Sequence, residues 1–86
     1  MKKITVKNII DFKKTKKKFA TITAYDFCSA LIIDKAEVPL ILVGDSASMV
    51  IYGYDTTIPV TMEEMLLVVR AVTRGAKHAL VVADMP

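Results

Sequence analysis

Three stretches carry an acid where an apolar run breaks: Tyr25-Asp26, Gly44-Asp45-Ser46 and Ala83-Asp84. Carboxylates delivered in this way hold hard cations, move protons or cap helices. If the runs are neighbouring strands, about 4.8 Å apart, Asp45 and Asp84 reach one point. Two carboxylates that close repel unless one is protonated or a cation lies between them. A divalent ion such as magnesium suits an all-oxygen site and keeps positions open for water and substrate. Simpler uses exist for each residue taken singly. Asp26 reads as a helix cap rather than a ligand. Gly44-Asp45-Ser46 also reads as a plain turn, and Asp84 before Met85-Pro86 as the start of a loop. His78 reads as a surface or packing residue. Cys28, in an apolar helix, reads as a core residue, and Met49, Met62, Met65 and Met85 need only packing.

Those acids need a frame. Thr5 is placed to cap a first helix running to about Lys16, with Ile4 and Ile9 as a hydrophobic staple. "FATITAY", residues 19 to 25, is β-branched and aromatic, which predicts a strand. "FCSALIIDKAEV" follows Asp26 as a helix that is apolar around nearly its whole circumference. "PLILVGD" is a continuous apolar run, the pattern of a parallel strand covered on both faces. A long loop then leads to Thr61-Met62-Glu63-Glu64, a capping box. Met62, Met65, Leu66, Val69 and Val72 form the expected buried stripe of the next helix, with Gly75 beyond its end as a C′ residue. "HALVVAD" is the third strand. The order α, β-α-β-α-β, without a hairpin signal, implies parallel strands and right-handed crossovers.

Composition narrows the functional classes. The chain has 86 residues, 53% of them hydrophobic, and a mean hydropathy of +0.44. A chain of this size buries only about 60–65% of the surface its unfolded form exposes. Its apolar excess predicts more protein around it, with the third strand and last helix half covered. No apolar run approaches the roughly 18–20 residues of a membrane span, and the basic N-terminus lacks an apolar leader core. A single cysteine fits a reducing cytoplasm. The net charge of +3 comes mostly from "KKTKKK" at 13 to 18, without interleaved aromatics. That run reads as a solvated helix end, so neither nucleic acid nor membrane is an expected partner. The last strand has no covering helix after it, so residues 1–86 are expected to be the N-terminal part of one larger α/β domain.

Four longer motifs carry a resemblance. "KFATITAYD" at 18 to 26, "VGDSASM" at 43 to 49, "GYDTTIPVT" at 53 to 61 and "RGAKHALVVADMP" at 74 to 86 follow one another with the separations found in ketopantoate hydroxymethyltransferases. The resemblance covers nearly the whole chain from Phe19 onward. It implies a (β/α)8 TIM barrel, here incomplete, with a preceding helix under its floor, and a homo-oligomer. It also implies transfer of a hydroxymethyl group from 5,10-methylenetetrahydrofolate to 3-methyl-2-oxobutanoate, toward pantothenate and coenzyme A. Asp45 and Asp84 match the family's magnesium ligands, and Ser46, with Asp45 and Asp84, matches positions that contact the 2-oxo acid. The family's general base, a substrate-binding lysine and a further acidic residue match nothing within residues 1–86, so this stretch by itself is expected to be inactive. Ala47-Ser48 stands where the family usually has Leu-Gly.

Two rival readings fit the same residues: another magnesium-dependent barrel acting on a 2-oxo acid, such as a lyase or phosphomutase, and a non-catalytic truncated fragment. A receiver domain needs a tight acidic pair after its first strand, which "TAYD" does not supply.

Overall fold

Thr5 and Thr61 begin their helices with the same reciprocal device. In the computed structural model, which describes residues 2–86, the Thr5 hydroxyl accepts the Asn8 N–H at 3.2 Å and the Asn8 side chain accepts the Thr5 N–H at 2.8 Å. Thr61 and Glu64 repeat the exchange at 3.1 and 3.0 Å. Each box satisfies N–H groups that a helix start leaves without intrahelical partners. Helix α1 spans Val6–Lys14, two residues short of the expected end. Thr15 closes it, its hydroxyl donating to the Asp11 carbonyl at 3.0 Å, and Lys16 turns to φ 57°. Strand β1 is Thr21–Thr23 alone. Phe19 is drawn to α1 instead, its ring centroid 5.2 Å from that of Phe12.

Helix α2 (Phe27–Lys35) is capped by Asp26, as its position predicts. It buries Ala30 and Asp34, whereas Cys28 is exposed. The expected core cysteine is therefore a surface residue. An all-round apolar helix gives no moment from which its buried stripe can be read. Strand β2 (Leu40–Val43) is central, with Ile41 and Val43 fully buried. Helix α3 (Ala47–Val50) occupies the start of what reads in sequence as loop. Helix α4 (Met62–Gly75) leads to β3 (Leu80–Ala83).

The buried row of α4 is Met65, Val68, Val72 and Gly75, while Met62 and Leu66 are 40% and 42% exposed. Gly75 explains the rotation of the stripe. It is the last helical residue, without positive φ, rather than a C′ residue. A β-carbon there would lie 2.8 Å from the Phe27 carbonyl oxygen and 3.0 Å from the Ala30 methyl. Its missing side chain lets α4 press onto α2.

The sheet is open and wholly parallel, ordered β1-β2-β3, with Ile22, Ile41 and Val81 in one row and Thr23, Leu42 and Val82 in the next. Ile41 and Val81 pack into the cluster with Val68 and Val72. The alternate face carries Thr21, Thr23, Leu42 and Val82, and Val82 is 43% exposed. Leu67 on α4 is also exposed, at 60%, so the last helix and strand are half covered as their sequences predict.

Below the strand starts, the Asp34 carboxylate accepts the N–H groups of Lys77 (3.0 Å), His78 (3.0 Å) and Ala79 (2.7 Å). From the other side, the Ile4 N–H donates to the His78 carbonyl at 2.7 Å and the Lys3 ammonium to the Ala79 carbonyl at 2.6 Å. Burial alone would raise the Asp34 pKa. The N–H groups of Ala79, His78 and Lys77, helped by the charge of His78, outweigh burial and lower it below the ordinary 3.8.

Asp34→Ala should therefore lower the unfolding free energy by about 3 kcal/mol, the cost of leaving buried N–H groups without an acceptor. The advantage over Asp34→Asn is complete above about pH 4 and shrinks as pH falls through the lowered folded value. Denaturant titrations at several pH values check both. Gly75→Ala should cost about 1–3 kcal/mol by overpacking, in the same assay, although alanine favours helix.

Candidate functional site

The register carries the three strand ends to one place. Because Thr23 pairs with Leu42 and Val43 with Ala83, the next alternate row brings Tyr25, Gly44 and Asp84 abreast. The ladder continues to support them: Ala24 N–H donates to the Leu42 carbonyl at 3.1 Å, and Asp84 N–H to the Val43 carbonyl at 3.0 Å. Asp84 then turns a carboxylate oxygen back to accept the Asp45 N–H at 3.2 Å. The Tyr25 hydroxyl meets the Ser46 hydroxyl at 2.5 Å. Asp45, Ser46 and Asp84 thus lie together, as their types suggest. Tyr25 joins them through a contact that sequence reasoning misses; the signal available for it is the strand register.

Gly44 leaves the space between these groups open. A β-carbon there would sit 3.4 Å from the Ser46 hydroxyl oxygen and 3.7 Å from the Asp84 carboxylate. Immediately after Ser46 the chain coils into α3, whose N–H groups take up the strand-end carbonyls: Ala47 to Gly44 at 3.1 Å and Ser48 to Asp45 at 3.0 Å. Ser48 is fully buried and donates its hydroxyl to the Thr56 carbonyl at 2.7 Å. Ser48 thus ties the following loop to α3 from a buried position.

The remaining candidates fall outside the cluster. Both carboxylate oxygens of Asp26 serve Ser29, at 2.7 Å to its N–H and 3.0 Å to its hydroxyl. The His78 ring bonds to the Lys2 carbonyl beneath the sheet. A cavity of about 540 Å³ also lies there, against Phe12, Phe19, Val38 and Pro39, at the end of the strands away from Asp45 and Asp84.

The side chains of Asp45, Ser46 and Asp84 offer only oxygen donors, and it is the Asp45 N–H rather than its carboxylate that meets Asp84. Among the described residues no three His, Cys, Asp or Glu side chains converge. An oxygen donor set of this kind suits magnesium, which is usually held by one or two carboxylates and completes its shell with water and substrate. It fits poorly with zinc, which takes nitrogen and sulfur ligands in closed structural sites.

The family model described as ketopantoate hydroxymethyltransferase matches residues 3–86. The chain belongs to the ketopantoate hydroxymethyltransferase family. It is 55% identical over 86 residues to the 3-methyl-2-oxobutanoate hydroxymethyltransferase of Caldicellulosiruptor bescii, covering 100% of this chain and 33% of that protein. The Carboxydothermus hydrogenoformans protein of the same name is 54% identical over the same 86 residues, 31% of its length. That of Frankia alni is 52% identical over 84 residues, 98% of this chain and 28% of the relative. The chain therefore spans about a third of the family members it matches. Among the described residues no helix is long and apolar enough to cross a membrane.

Gly44→Val should wedge apart Ser46 and Asp84, because its β-carbon would already be in van der Waals contact with the Ser46 hydroxyl oxygen, at 3.4 Å, before its two γ-methyl groups are added. Amide hydrogen exchange at Asp45 should accelerate by about tenfold, the scale of one lost charge-assisted hydrogen bond, while Ala79 stays protected.

Proposed function

We propose that residues 1–86 form the first βα units of a (β/α)8 barrel that transfers a hydroxymethyl group from 5,10-methylenetetrahydrofolate to 3-methyl-2-oxobutanoate, giving 2-dehydropantoate. The observation that carries this reading is the meeting of Asp45, Ser46 and Asp84 at the carboxyl ends of adjacent parallel strands. Ligands of barrel enzymes gather at that end. The open sheet and its half-covered face with Leu42 and Val82 suit a barrel interior completed by further strands. The reading places the enzyme in the cytoplasm, as a homo-oligomer.

Loss of the proton beside the keto group of the substrate leaves negative charge on the keto oxygen. A magnesium ion bound here would supply Lewis-acid stabilisation of that charge. Asp45 and Asp84 are the residues that would hold the ion. The Ser46 hydroxyl, its direction set by Tyr25, is placed to orient the substrate carboxylate. Proton removal and folate contacts fall to residues in the rest of the barrel, so the 86-residue chain has no turnover by itself.

The test joins residues 1–86 to the remaining two thirds of the Caldicellulosiruptor bescii relative. The joined protein should form 2-dehydropantoate, and the 86-residue chain should form none. Asp45→Asn and Asp84→Asn should each lower kcat/KM by about 100-fold or more in the joined protein, the usual scale for losing electrostatic stabilisation. Undiminished activity in both variants would overturn the assignment of the strand-end acids.

A further inference from the structure

Two hydrogen-bonded chains run from Glu64, in the first turn of α4, back to the strand-end acids. In the first, the Tyr52 hydroxyl donates to the Glu64 carbonyl at 2.7 Å. The Tyr52 N–H donates to the Ala47 carbonyl at 3.1 Å, and the Ala47 N–H to the Gly44 carbonyl at 3.1 Å. In the second, the Tyr54 hydroxyl donates to the Glu64 carboxylate at 3.0 Å. The Tyr54 N–H donates to the Ser48 carbonyl at 2.9 Å, and the Ser48 N–H to the Asp45 carbonyl at 3.0 Å.

The end points matter. The Gly44 and Asp45 carbonyls belong to the two peptide planes that flank the Asp45 α-carbon. Holding both planes fixes φ and ψ of Asp45, and with them the direction in which its side chain leaves the backbone. The buried Ser48 hydroxyl closes the span on the Thr56 carbonyl, and the rings of Tyr52 and Tyr54 lie 6.5 Å apart. The hydrogen bond to Glu64, and its charge, also raise the Tyr54 pKa; burial and then the Glu64 charge raise that of Tyr52. Both hydroxyls keep the proton they donate.

We propose that Glu64 is a positioning residue, acting through Tyr52 and Tyr54 to brace the backbone on both sides of Asp45. That the brace aims Asp45 at a cation rests on the proposed function; the brace itself does not.

The test is residue-resolved amide hydrogen exchange on the joined protein, followed by magnesium titration read from amide shifts. Tyr54→Phe should speed exchange at Ser48 by about five- to tenfold, one hydrogen bond's worth, and Tyr52→Phe should do so at Ala47. Ala79 and Asp84 amides should be unmoved. Glu64→Gln, which keeps a side-chain acceptor oxygen, should retain the protection at Ser48 that Glu64→Ala loses. Ala47, tied through Tyr52 to the Glu64 main-chain carbonyl, should stay protected in both. Unchanged exchange at Ala47 and Ser48 in the tyrosine variants would overturn the brace. So would a uniform rise that includes Ala79, or a wild-type Ser48 amide without protection. Magnesium-dependent shifts at Asp45 and Asp84 should weaken by about threefold or more in Tyr54→Phe, in keeping with a partial loss of orientation. If wild-type amides ignore magnesium while Ser48 responds to Tyr54→Phe, the metal reading fails and the brace stands.

Discussion

The carboxylate of Asp34 sets where β3 begins. Its two oxygens take the N–H groups of three successive residues, Lys77, His78 and Ala79, on a helix 43 to 45 positions earlier. A buried carboxylate is tolerated only when such donors compensate it. Here the compensation is also a ruler. With the start of β3 pinned to α2 and the N-terminal segment, Val43 aligns with Ala83, and Asp84 arrives beside Asp45 rather than one residue early or late. A slip of one residue would turn every side chain of β3 to the other face of the sheet. The bottom of the sheet therefore determines the geometry of the top.

On the proposed function, function and stability occupy opposite ends of the strands. Lys3, Ile4, Asp34 and the 76–79 turn knit the lower edge, while Tyr25, Asp45, Ser46 and Asp84 gather at the upper one. Gly75 and Ala30 serve the helix layer between them by permitting close contact of α2 and α4. The two ends meet different demands: the lower must bury and satisfy its polar groups, and the upper, in the proposed reading, must leave oxygens free for a ligand.

Much of this was legible because it is local. Thr5, Asp26 and Thr61 announce helix starts through side chains that reach only three residues forward. The strand-end acids announce themselves because an apolar run stops at them. What escaped reading is non-local or too short. Asp34 has no neighbour in sequence that reveals its partners. Cys28 lies on a helix whose apolar residues point everywhere, so only the packing of Ala30 against Gly75 tells which side is inside. Helix α3 has four residues, fewer than any periodicity needs. Gly75 reads in sequence as punctuation, although its use is steric, because a sequence does not show what approaches a missing side chain. That Asp45 and Asp84 end adjacent strands was legible through family resemblance and strand logic together; the contact of Tyr25 with Ser46 required the register.

The strands lie in the sheet in the order in which the chain presents them. Each therefore docks on a neighbour that has already left the ribosome, and no strand must be inserted between two others. Domains assembled during synthesis benefit from such ordering, since unpaired edges wait less time for their partners. The halves of the acidic cradle are consequently made in sequence: Asp45 is positioned on a growing edge, and the arrival of Asp84 completes the pair without disturbing what was built before.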